Sequence, residues 1–148
     1  MPPLYLLDTN ILVHLVRGDA IGQHIQERYT PALIDPRPII SIVTEGELRS
    51  LTLQFRWGRS KVDQSRFYLS YFPRIPIDQQ EIVEAYSVLD AYSVSLGRAI
   101  GKNDLWIAVT AYLMEATVLT TDRDFEHVAP RFLRCEWIES VSKEQDDI

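Results

Sequence analysis

The chain predicts an α/β fold with a largely parallel sheet, and three observations carry that expectation. Short apolar runs without polar alternation, such as Leu4 to Leu7 and Ile39 to Val43, suit strands buried on both faces. Between them lie longer segments whose apolar residues recur at helical spacing. The resulting order, strand, helices, strand, helices, strand, helix, strand, is that of crossovers between parallel strands.

The first strand stops at Asp8 and gives way to the helical pattern Ile11, Leu12, Leu15, Val16. Gly18 and Asp19 end that helix, and Ile21, Ile25 and Tyr29 predict a second one facing the sheet. His14 and His24 fall in these helices without partners at ligand spacing, so both are expected to be surface or packing residues. Thr30 to Pro38 holds three prolines and predicts a loop. Ile39 to Val43 then reads as a strand, with Thr44 expected to cap the helix that follows and Glu47 in its first turn, as in a capping box. Leu48, Leu51 and Phe55 form the expected buried stripe of that helix.

From Arg49 to Arg66 the bases Arg49, Arg56, Arg59, Lys61 and Arg66 face a single acid, Asp63, with Trp57 and Phe67 interleaved. This basic segment is a solvated helix pair or an RNA-facing surface, with Arg49, Arg56, Arg59 and Lys61 as the possible RNA contacts. Phe72 to Asp78, with Pro73 and Pro76 around Ile75 and Ile77, suggests a short edge strand or an extended connector. Asp78 opens the longest helical pattern, which carries Ile82, Tyr86 and Leu89 and stops at Gly97. A turn over Ala99 to Gly101 leads to Asn103, expected to cap a helix with Leu105, Ala108 and Tyr112 toward the sheet. Glu115 to Asp122 is a further strand running into an acid, followed by Arg123, Asp124 and Phe125 and then a short helix or turn broken by Pro130. Arg134 to Ile138 is expected to be the last strand, at an edge.

A chain of 148 residues suits one domain with a full core. We place that domain at residues 1–139, followed by a polar C-terminal tail at 140–148. The single cysteine, Cys135, and the lack of a signal-like or membrane-spanning run predict a cytoplasmic protein with no membrane association. Net charge is −6, from 21 acids and 15 bases. Without Asp8, Glu47, Asp104, Asp122 and the charged residues of Lys143 to Ile148, the count is 14 against 14. The acidity is therefore concentrated, and a metal ion in the acidic cluster would let an anionic substrate approach.

Asp8 and Asp122 end apolar strands, Glu47 lies early in a helix after a strand, and Asp104 opens a helix. One edge of a parallel sheet can gather all four. Each pair of carboxylates would repel by about 4 kcal/mol at 4 Å and an effective dielectric near 20, so the cluster calls for a cation. Oxygen ligands without cysteine or histidine select Mg²⁺ or Mn²⁺, and magnesium with free water positions suits phosphoryl chemistry.

The stretches Leu6-Leu7-Asp8-Thr9-Asn10, Thr44-Glu45-Gly46-Glu47-Leu48, Gly101-Lys102-Asn103-Asp104-Leu105-Trp106-Ile107-Ala108 and Thr120-Thr121-Asp122-Arg123-Asp124-Phe125 resemble, in this order and spacing, the PIN domain. Within it the chain is most similar to the VapC toxins of toxin–antitoxin pairs. The resemblance runs from about Leu4 to Ile138. It implies a PIN-like fold with a five-stranded parallel sheet between helices, and a Mg²⁺-dependent endoribonuclease that leaves a 5′-phosphate. It further implies a homodimer silenced by a small antitoxin.

By position, Asp8, Glu47, Asp104 and Asp122 match the acidic quartet. Glu47 is chosen over Glu45 because it directly precedes a leucine. Asp122 is chosen over Asp124, which is expected to cap or to support. Asn10 and Thr120 or Thr121 are expected to orient ligands or substrate. The competing function is a PIN-like module that binds RNA or protein without cutting. A haloacid-dehalogenase-like phosphatase would need an acid where Asn10 stands, a receiver domain would want an acid pair at Asp8, and a dinucleotide-binding domain lacks its glycine motif.

Overall fold

The structure, a computed structural model, describes residues 2–98, 100–129 and 131–139. The tail assigned to 140–148, the expected break at Pro130 and Ala99 of the expected turn lie outside the described residues. The elements are β1 (Tyr5–Leu7), α1 (Thr9–Arg17), α2 (Ala20–Tyr29), β2 (Ile40–Ser41), α3 (Ile42–Gln54), α4 (Arg59–Tyr71), β3 (Arg74–Ile75), α5 (Gln80–Ser95), α6 (Lys102–Met114), β4 (Thr117–Thr120) and β5 (Arg134–Trp137). Short 3₁₀ turns occupy Pro31–Leu33 and Arg123–Phe125.

Every strand pairing is parallel: β1 with β4, β4 with β5, and β2 with β3. Ile39 joins the two groups, because Leu7 N–H donates to its carbonyl at 3.0 Å and its own N–H donates to Tyr5 O at 2.9 Å. The spatial order is thus β3-β2-β1-β4-β5, with the chain reversing its direction of progress between β1 and β4. A crevice at the carboxyl ends of those two strands follows from that topology.

The alternation of side chains along β1 and β4 divides the core. Leu6 and Val118 pack with Ile82, Leu89, Leu105 and Ala108 of α5 and α6 on one face. Tyr5, Leu7 and Leu119 pack with Ile11, Leu12, Ile25, Leu48 and Leu69 of α1 to α4 on the other. Both faces of the inner strands are covered, so their sequences contain no polar alternation. At the edge, the Tyr5 and Tyr29 hydroxyls both donate to Glu136, which ties β1 and α2 to β5.

Several elements begin or face differently from the sequence pattern. The β-branched run does not stay extended to Val43: Ser41 Oγ accepts the Val43 N–H at 3.1 Å and α3 starts at Ile42. Ser41, not Thr44, is therefore the cap, Glu45 occupies the first turn and Glu47 lies beyond it. Thr44 is buried inside α3, where its Oγ1 lies 3.0 Å from the Thr9 Oγ1. Phe55 is not in the core but 45% exposed, and Tyr112 likewise faces solvent. Helix α6 starts at Lys102 with Gly101 at its cap position, so Asn103 is a helical residue and not a cap. Helix α5 begins at Gln80 and ends where Gly97 adopts a left-handed conformation (φ 69°).

Candidate metal centre

The two strand ends at the reversal of the sheet each deliver an acid. Asp8 is the N-cap of α1 and is only 3% exposed. Its Oδ1 accepts the Thr9 N–H at 2.8 Å, and its Oδ2 accepts Thr120 Oγ1 at 2.7 Å and Asn10 Nδ2 at 3.3 Å. Capping and site membership are therefore one geometry here: the cap bond fixes the carboxylate at the mouth of the crevice. Asp122 follows β4, and its N–H donates to Thr120 Oγ1 at 2.9 Å. The Thr120 hydroxyl thus links both acids. Asn10 Oδ1 also accepts the Thr121 N–H at 3.4 Å, so Thr121 takes part through its backbone.

Asp104, in the first turn of α6, meets these acids from the other face of the sheet. Oxygens of Asp104, Asp122 and Asp124 all lie within 4.8 Å of one another. Asp122 accepts the Asp124 N–H at 2.9 Å, so the cap of this turn is Asp122 and not Asp124, whose carboxylate remains exposed toward the group. Glu47 reaches the same cleft from α3, its Oε1 accepting the Thr9 hydroxyl at 2.8 Å.

Burial raises the Asp104 carboxyl to about 7, reinforced by the charges of Asp8, Asp122, Glu47 and Asp124. Asp8 rises to about 6, chiefly through burial, with Glu47 and Asp122 adding to it against the hydrogen bonds from Thr120 and Thr9. Among the described residues no salt bridge reaches any of the five acids. Crowded carboxylate oxygens without a basic partner fit a hard divalent cation such as Mg²⁺ or Mn²⁺.

The cleft, about 440 Å³, is lined by Asp8, Asn10, Glu47, Asp104 and Asp122 together with Val13, His14, Arg17, Leu51 and Phe55. The sequence reading missed His14 and Arg17, although the spacing Asn10, His14, Arg17 marks one helix face and was the available signal. The basic segment lies elsewhere. Arg49 and Arg56 line a neighbouring cleft between α3 and α4 with Trp57 and Arg66. Lys61 sits over the Trp57 ring, and Arg59 is exposed at the start of α4.

The PIN domain family model matches residues 5–130. Ribonuclease VapC1 of Haemophilus influenzae (strain R2866) is 29% identical over 129 residues, covering 84% of this chain and 92% of the relative. Among solved structures, VapBC2 from Rickettsia felis bound to a promoter DNA fragment aligns with a TM-score of 0.72 and 24% identity, covering 90% of this chain and 97% of the other. A toxin–antitoxin complex from Klebsiella pneumoniae aligns with a TM-score of 0.65 and 25% identity, covering 84% and 92%.

Proposed function

Because this chain belongs to the PIN domain family, we propose that it is a metal-dependent endoribonuclease and the toxin of a VapBC-type toxin–antitoxin pair. The observation that carries the reading is the convergence of Asp8, Glu47, Asp104 and Asp122 on one cleft, with Asp104, Asp122 and Asp124 close enough to share an ion. The name of the Haemophilus relative supports the ribonuclease activity.

Asp8, Asp104 and Asp122 would hold Mg²⁺ or Mn²⁺, with Asp124 beside them. The ion, when bound, supplies a water made more acidic and a positive charge for the phosphate and leaving oxygen. Asp8 is oriented by Thr9, Asn10 and Thr120, which hold its carboxylate in one position beside the other acids. Glu47 is anchored through Oε1 by Thr9, which leaves Oε2 to hold a second ion or to orient the attacking water. Arg49, Arg56, Arg59 and Lys61 are the outer RNA contacts of this reading.

The partners are an RNA substrate, a small antitoxin and a second copy of the chain. The Klebsiella complex supports the antitoxin. Val83, Val88 and Tyr112, exposed on α5 and α6, give the homodimer an apolar surface. No helix among the described residues is long and apolar enough to cross a membrane, which accords with a cytoplasmic location.

The test is cleavage of a mixed structured RNA by the purified chain with Mg²⁺, with Mn²⁺ and with EDTA, beside Asp104→Asn. Metal-dependent cutting that disappears in the variant is expected. Cutting retained by a folded Asp104→Asn chain would remove Asp104 from the site, and cutting unaffected by EDTA would sink the metal mechanism.

A further inference from the structure

His14 and Arg17 are the basic side chains that line the acidic cleft, and the metal chemistry uses neither. They continue the wall of α1 that starts at Asn10. At about 1.5 Å of rise per residue, His14 stands about 9 Å and Arg17 about 14 Å along the axis from Asp8. A strand leaving the acids along α1 would pass both.

Each side chain is held in place. His14 Nδ1 lies 2.8 Å from Asp19 Oδ2, and Asp19 is itself fixed by the Gly22 N–H at 2.8 Å. That leaves Nε2 as the ring nitrogen available to the cleft, a donor to phosphate when the ring is the imidazolium. The Arg17 guanidinium carbon is 4.8 Å from the centre of the Phe55 ring, and Trp57 lies 5.8 Å from that ring. This explains an aromatic residue exposed at the C-cap of α3 beside a site: it carries the arginine. Among the described residues Arg17 has no salt bridge, whereas Arg49 is engaged by Glu45, which Arg74 also contacts.

A cation without a carboxylate partner, on the rim of an acidic cleft, is placed for an anion that must come close to those acids. A guanidinium can bind phosphate through its N–H fork while its face stays on an aromatic ring. Phe55 and Trp57 beside it present ring surface to bases that are not stacked in a duplex.

We propose that Arg17, carried on Phe55, and His14, held by Asp19, bind backbone phosphates of single-stranded RNA next to the bond that is cut. This rests on the ribonuclease reading of the cleft. It assigns the two residues to substrate binding, with the chemistry left to the acids.

The experiment is fluorescence anisotropy of a dye-labelled single-stranded RNA, titrated in Mg²⁺ at several salt concentrations, with Asp104→Asn as the background so that the strand survives. Arg17→Ala is expected to raise Kd about tenfold and to reduce the slope of log K against log salt by about 0.7. Arg17→Lys should keep most of that slope. His14→Ala should shift Kd in the same direction, and Arg131→Ala, ahead of the amino end of β5 and against Tyr92 and Phe132, should change nothing. Melting curves confirm that each variant is folded. An unchanged Kd and slope in Arg17→Ala, or no RNA binding by the background chain, would overturn the proposal. Equal binding of a duplex would overturn its single-strand part.

Cleavage by the wild-type chain separates the two readings. Metal-dependent cutting with no effect of Arg17→Ala on KM leaves the nuclease standing without this wall. A salt-sensitive loss in Arg17→Ala by a chain that cuts nothing keeps the wall and removes the nuclease.

Discussion

The Asp8 carboxylate accepts three hydrogen bonds, yet its burial outweighs them and holds its pKa near 6. Asp104 stands higher, at about 7, for burial and the surrounding acids. Both therefore keep their protons in the folded chain at a pH where the unfolded chain has released them. Their contribution to stability is complete below about pH 4 and is lost as pH rises through about 6 to 7. For Asp8, moved from 3.8 to about 6, that is about 3 kcal/mol. Asp104 is more exposed, and solvent screening reduces its share.

In EDTA the melting temperature should fall between about pH 4 and pH 7. Asp8→Asn should flatten the fall, and Mg²⁺ should oppose it because a cation favours the ionised carboxylates. A profile that is flat in EDTA would show that the acids are not crowded as described. Thr120→Val is the companion test at this scale. It keeps the shape but removes the hydroxyl that donates to Asp8 and accepts from the Asp122 N–H. The expected cost is about 1–3 kcal/mol of stability, together with a displacement of the pH-dependent fall to higher pH.

At the scale of elements, two glycines give opposite predictions. Gly46 lies inside α3, and nothing stands within 4 Å of where a Cβ would be. Gly46→Ala should raise stability by about 0.5–1 kcal/mol, since alanine restricts the unfolded chain and favours the helix. Gly22 lets α2 cross α1 at close range: an added Cβ would come within 2.1 Å of His14 O. Gly22→Ala should destabilise by about 1–3 kcal/mol, and because α1 carries Asn10, His14 and Arg17, it should also weaken RNA binding. Denaturant midpoints of the two variants, moving in opposite directions, check the pair.

The same elements show what the sequence makes legible. Asp8 and Asp122 stand out because a both-faces-buried strand ends abruptly at a charge. The start of α3 does not, because Ile42 and Val43 extend a β-branched run and only the Ser41 side-chain bond turns the backbone into a helix. Thr44 and Glu47 match a capping box by spacing, but both serve Thr9 on α1 instead, a contact no local pattern encodes. Arg17 shares a helix face with Asn10 and His14, but that spacing alone does not mark it as functional. Its significance depends on Phe55, which the helical pattern assigns to the core, and on a cleft assembled from α1, α3, α6 and the end of β4.

For the molecule as a whole, the order β3-β2-β1-β4-β5 places the ends of β1 and β4 side by side although they lie at opposite ends of the chain. Thr120 and Asp8 are 112 residues apart and share a 2.7 Å hydrogen bond. Asp104 arrives from one covering layer and Glu47 from the other, so an ion bound among these acids would bridge β1, α3, α6 and β4 at once. Unfolding any one of them would then release it. Binding to the folded chain alone stabilises by RT ln(1 + [L]/Kd), about 2.7 kcal/mol at a hundredfold excess over Kd. For a domain of this size that corresponds to a rise in melting temperature of roughly 5–10 °C. The rise should saturate with Mn²⁺ or Mg²⁺ and vanish in Asp104→Asn. Limited proteolysis should show the protection extending to α3 as well as to the segment after β4. Protection confined to Asp122 and its neighbours would mean that the ion engages the Asp104, Asp122 and Asp124 trio alone, leaving Asp8 and Glu47 to act on the substrate or the water.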